Sequence, residues 1–80
     1  MMKWFKNMRA QNVRMNLWEV RTEKGMSIME IAKRTGIGKS SLYEYENNRT
    51  SPPLEAVYRI AAVLDVEMEE LYTAEKNTPP

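Results

Sequence analysis

Gly36 and Gly38 stand two residues apart between two segments of helical periodicity, and this break constrains the chain more than any other feature. Glycine in a helix interior costs about 1 kcal/mol relative to alanine. The chain has only three glycines in 80 residues, so placing two of them around one isoleucine marks a turn. Gly36 can take the left-handed conformation that stops one helix. Ile37 can plug into the core between the helices. Gly38 fits the position before the next helix, where a missing side chain costs only a few tenths of a kcal/mol.

Three further breaks, at Gly25, at Ser51-Pro52-Pro53 and at Asp65, divide the rest. Between them the apolar spacing is helical, with no alternating strand pattern. A first helix is expected from about Asn12, as its cap, to Lys24, with Val13, Leu17 and Val20 on one face. Ser27 and Glu30 have the spacing of a capping box and open a second, with Ile28, Ile31 and Ala32 inward. The third runs from Lys39 to about Asn47, with Leu42 and Tyr45 inward and Asn47-Asn48 suited to a left-handed end. Ser51 is expected to cap a fourth, with Pro52 at its first position and Leu54, Val57, Ile60, Ala61 and Leu64 on its apolar side. A last helix is expected at about Glu67 to Ala74. The expected fold is therefore all-α, a compact five-helix domain over residues 12–74. A basic and aromatic extension precedes it at 1–11, and a frayed tail follows at 75–80.

The composition removes most chemistry. There is no cysteine and no histidine, so thiolate nucleophiles, disulfides and the commonest general base and metal ligand are absent. An enzyme is not expected, nor a cofactor or metal. No apolar run approaches the ~20 residues of a membrane helix, the N-terminus lacks a secretory apolar stretch, and a soluble cytoplasmic protein is expected. The net charge of +1 hides an asymmetry: residues 1–49 carry ten Lys/Arg against five Asp/Glu, residues 50–80 two against six. Such a split suits an anionic partner on one face, with ordinary scatter of solvated charge as the bland alternative.

Helix, glycine-containing turn, helix is the pattern of the DNA-binding helix-turn-helix. The flanking residues add to it. "RTEKGMS", "EIAKRTGI", "LYEYENNRTSPPLEAV", "RIAAVLDV" and "EELY" fall without a gap over residues 17–72. This resembles the lambda-repressor-like family, the Cro and xenobiotic-response-element class of regulators. The resemblance implies sequence-specific binding of double-stranded DNA, usually by a homodimer on a palindromic or near-palindromic operator.

In this motif the first residues of the second helix enter the major groove. Here they are Lys39, Ser40 and Ser41. Lysine donates to guanine O6/N7 and serine suits either base edge; Glu44, one turn on, can accept from a cytosine amine. Lys39, Ser40 and Glu44 are the candidate base contacts. Ser41 and Tyr43 are candidate phosphate contacts, Tyr43 equally a half-exposed packing residue. By the resemblance, Asn47, Arg49 and Thr50 are phosphate anchors, which set register without reading sequence. Arg34 is read as helix surface paired with Glu30 at i,i+4.

The family pattern also implies a partly buried ion pair between Arg21 and Glu46, and a dimer surface on the last helix that includes Met68 and Tyr72. Three departures stand out. Ile28 replaces a phosphate-gripping glutamine, Gly38 replaces a Ser/Thr cap, and Asn48 replaces a glycine after "EN". Met1, Trp4, Phe5 and Met8 form one helical stripe in the extension, open to packing, to disorder, to an arm on DNA or an anionic membrane, or to a start at Met8 or Met15. The functional expectation is a transcriptional regulator, a repressor by type. The alternative is an antitoxin-type interaction module that autoregulates its promoter.

Overall fold

The computed structural model describes residues 12–75. In chain order these form β1 (Asn12–Met15), α1 (Leu17–Glu23), α2 (Ile28–Thr35), α3 (Lys39–Glu46), α4 (Leu54–Leu64), a 3-10 helix (Met68–Leu71) and β2 (Tyr72–Glu75). The expectation of an all-α, five-helix domain is corrected to four α-helices, one 3-10 turn and a two-stranded antiparallel ribbon.

Both errors have one cause. The ribbon pairs Asn12 with Glu75, Val13 with Ala74, Arg14 with Thr73 and Met15 with Tyr72. Partners 57 to 63 residues apart in sequence leave no trace in local periodicity. Val13, expected inward on a helix, is 60% exposed, while Met15 is buried. The spacing of Val13, Leu17 and Val20 fits a helix, but Val13, Met15 and Leu17 fit alternation equally well. At the other end Glu67 and Glu70 form a capping box that starts only a 3-10 turn, and Tyr72 and Thr73, both good strand formers, continue as β2. Glu75, placed in the tail by sequence, belongs to that strand.

The helix-turn-helix follows the sequence closely. Ser27 Oγ accepts from the Glu30 N–H at 3.1 Å, which starts α2. Gly36 ends it with φ of 80°, and Gly38 stands extended before α3. Between them Thr35, buried at the end of α2, fastens the turn: its hydroxyl donates to the Ile31 carbonyl at 2.7 Å and accepts from the Ile37 N–H at 3.1 Å. α4 begins later than expected, after Pro53 rather than Ser51. Leu54 is therefore its first residue and lies 75% exposed beyond the core edge.

One core holds these elements together. Leu17, Ile31, Leu42, Ile60, Leu64 and Leu71 are fully buried at its centre, joined by Met15, Val20, Ile28, Tyr45 and Val57. Every described element except β2 places a buried residue there, so α3 is seated on its Leu42 and Tyr45 side and presents the other.

Candidate nucleic-acid interface

The presented side of α3 is built by subtraction. Leu42 and Tyr45 are buried three apart, which turns Lys39, Ser40, Ser41 and Tyr43 to solvent and leaves Glu44 half-buried. All five sequence-selected residues of α3 thus share the accessible side or its flank. No carboxylate occupies the first turn of α3, so the backbone N–H groups and Lys39 set a positive local field.

Beyond α3 the chain turns on Asn47 and Asn48. Asn47 Nδ2 donates to the Tyr43 carbonyl at 2.9 Å, closing the helix end with its own side chain. Asn48 takes a left-handed φ of 57°. Arg49 and Thr50 follow, both exposed, and both reach back to Glu44. An Arg49 Nη1 stands 3.5 Å from Glu44 Oε2, and Thr50 Oγ1 donates to Glu44 Oε1 at 3.4 Å. The candidate base contact and two candidate phosphate anchors are therefore one cluster. Glu30 and Arg34 pair at 2.8 Å, matching the reading of Arg34 as helix surface.

The scaffold under this face contains the ion pair between Arg21 and Glu46. Arg21 Nε and Nη2 both donate to the Glu46 carboxylate, at 2.5 and 3.1 Å. That fork ties α1 to the last residue of α3. The bonding raises the Arg21 pKa above the ordinary arginine value, against the opposing effect of burial.

Sequence reasoning did not assign Asn48 its second role. Its Oδ1 accepts from the Met15 N–H at 2.8 Å and its Nδ2 donates to the Met15 carbonyl at 3.0 Å. In antiparallel pairing, alternate residues direct both backbone groups away from the partner strand. The bond from the Asn16 N–H to the Leu71 carbonyl makes Met15 such a residue, and Asn48 satisfies both groups as a third strand would. Glycine supplies the left-handed turn but not the amide.

Near the end of the described chain, Met68 and Tyr72 are half-buried against the core. With Pro52, Leu54 and Val57 they line a shallow apolar groove. Burial raises the Tyr72 pKa above the usual phenol value. Among the described residues there is no cluster of metal-ligating side chains, and no helix is long and apolar enough to cross a membrane.

A turn tied by Thr35, a second helix presented on one side and a basic loop after it define a helix-turn-helix domain. The family model described as helix-turn-helix matches residues 19–71, and the chain belongs to that family, the lambda-repressor-like class. Curated relatives include the HTH-type transcriptional regulator SinR of Bacillus licheniformis and of Bacillus subtilis (strain 168). Each is 36% identical over 61 residues, covering 75% of this chain and 55% of the relative. The chain thus spans about half the length of these relatives. Among solved structures, SinR in complex with DNA superposes with a TM-score of 0.64 at 36% identity, covering 69% of this chain and 89% of that one. The restriction-modification controller protein C.AhdI from Aeromonas hydrophila gives 0.66 at 32% identity, covering 70% and 85%.

Proposed function

We propose that this protein is a sequence-specific DNA-binding regulator of transcription, acting as a repressor in the cytoplasm. The observation that carries the reading is the exposure of Lys39, Ser40 and Ser41 at the start of a helix anchored by Leu42, Tyr45 and the Arg21–Glu46 fork. In this reading α3 enters the major groove, Lys39 and Ser40 meet base edges, and Glu44 does so after leaving Arg49. Ser41, Tyr43, Asn47, Arg49 and Thr50 hold the backbone. The solved complex of the relative SinR with DNA supports the same reading.

A helix-turn-helix monomer contacts a short half-site, and two-fold dimers bind matching half-sites about one turn apart. A homodimer on a palindromic or near-palindromic operator accords with the apolar groove that includes Met68 and Tyr72. Selecting bound duplexes from a random pool, followed by titration of the recovered site, tests the reading. A two-fold symmetric consensus is expected. Recovery of no consensus, with no preference over scrambled DNA, would refute it.

A further inference from the structure

Two recesses of the domain differ in charge. The larger, between α1 and the segment after α4, is walled by Glu19, Glu23, Asp65 and Glu70, with Lys24 the one lysine or arginine among the described residues that line it. The smaller, about 230 Å³, lies where β1 meets the loop between α3 and α4. Its polar wall includes Arg14, Asn48, Arg49, Thr50, Ser51 and Tyr72, and among the described residues no carboxylate lines it. Arg14 and Arg49 with the hydroxyl-bearing Thr50 and Ser51 border a space far larger than one water needs.

We propose that this recess holds a backbone phosphate of bound DNA and that Arg14 is a phosphate-contacting residue alongside Arg49 and Thr50. The inference rests on the DNA-binding reading above and adds β1 to its contact surface.

Asn48 is what brings Arg14 there. By holding both backbone groups of Met15, it seats β1 against the loop that carries Arg49 and Thr50. Arg14, the next residue, stands exposed at the rim. Its guanidinium lies 3.5 Å from Glu19, with side-chain exposures of 43% and 50%. Arg49 faces Glu44 at the same distance, with exposures of 68% and 43%. The Arg49 pair, this long and open, contributes little. A phosphate, with fork-like geometry and full charge, competes well for an arginine. Neither Glu19 nor Glu44 lines the recess.

The test uses the full chain with the variants Arg14→Gln, Arg14→Lys, Arg49→Gln and Asn48→Gly, and with Asn48→Gly combined with Arg14→Gln, on the selected operator and on a scrambled duplex between 50 and 200 mM salt. Arg14→Gln should weaken both duplexes by the same factor and make the slope of log K against log salt shallower by about 0.9 for each phosphate no longer neutralised. Arg14→Lys should recover most of that slope. Asn48→Gly preserves the left-handed turn but releases Met15, and adding Arg14→Gln to it should change little further. Wild-type affinity and slope for Arg14→Gln, beside a clear loss for Arg49→Gln, would overturn this inference alone. A loss confined to the operator would also overturn it, because a phosphate contact carries no sequence. Wild-type protein with no salt-dependent binding would overturn the DNA-binding reading and this inference with it.

Discussion

Arg21 and Glu46 meet side by side through two hydrogen bonds while keeping only 16% and 9% of their side-chain surface exposed. Removing one partner from such a pair strands the other charge, which costs about 3 kcal/mol at the lower end of the range for buried pairs. Glu46→Gln preserves shape and removes the charge. It should lower Tm by more than about 10 °C in a domain of this size. A melting curve superimposable on wild type would mean that the fork contributes nothing. Because its pKa is raised, the stability Arg21 contributes is complete below the ordinary arginine value and is lost only above it. No step in stability from Arg21 is expected between about pH 6 and 10.

Asn48 offers a sharper comparison, because it combines a backbone conformation with two hydrogen bonds. Asn48→Gly removes the bonds alone and should cost about 1–2 kcal/mol. Asn48→Ala also places a methyl-bearing residue at a left-handed φ and should cost about 1 kcal/mol more. Denaturant midpoints of the two variants measure the difference. Equal loss in both would assign the whole effect to the bonds. Amide exchange at Met15 should quicken in each.

Glu44 is expected to behave unlike its neighbours. A carboxylate near phosphates is repelled, and here it also engages Arg49 and Thr50. Glu44→Ala should therefore raise affinity for random DNA while relaxing preference at one operator base pair by about 1–3 kcal/mol. Equal gains on operator and scrambled duplexes would mean that Glu44 reads no base.

Lys39 and Ser40 separate gripping from reading. Lys39→Ala should weaken binding to all sequences and blur one operator position, since the lysine carries both charge and donors. Ser40→Ala should leave random-DNA affinity unchanged and weaken only the operator. Competition binding at a single salt concentration distinguishes the two patterns. A loss on both duplexes for Ser40→Ala would place the hydroxyl on the backbone instead.

Tyr72 couples the ribbon to alkaline pH. Burial raises its pKa from 10.0, so above that value the unfolded chain releases the phenolic proton more readily than the folded one. Stability should fall as pH rises from about 10 through the folded-state value, and Tyr72→Phe should flatten that decline. Phenolate absorbance titration alongside urea melts measures both. An unchanged decline in Tyr72→Phe would assign it to another tyrosine or a lysine.

The helix-turn-helix was legible because its determinants are local. Gly36, Gly38, Ser27 and the Leu42–Tyr45 spacing each act within a few residues, and the structure matches them, except that only Ser27's half of the expected capping box forms while the Glu30 carboxylate pairs with Arg34. The Arg21–Glu46 pair, 25 residues apart, was legible only through the family pattern. The ribbon was not legible, since no residue of β1 signals its partner in β2. Asn48 was half legible. Asparagine's tolerance of the left-handed region points to a helix end, but its bond to Met15 crosses 33 residues. Arg14 went unselected for the same reason: it becomes a neighbour of Arg49 only once Asn48 has seated β1.

The ribbon also sets how the domain answers a pull. Its register puts Asn12 directly opposite Glu75, so a force separating these two points peels the strands like a zipper rather than shearing them. The bonds then break one rung at a time, and little force is needed. Peeling runs inward from Asn12 until it reaches Met15, where the strand is gripped from its other edge by Asn48. Tension on the outer strand residues then falls on the two bonds between Met15 and Asn48 before it pulls on α1.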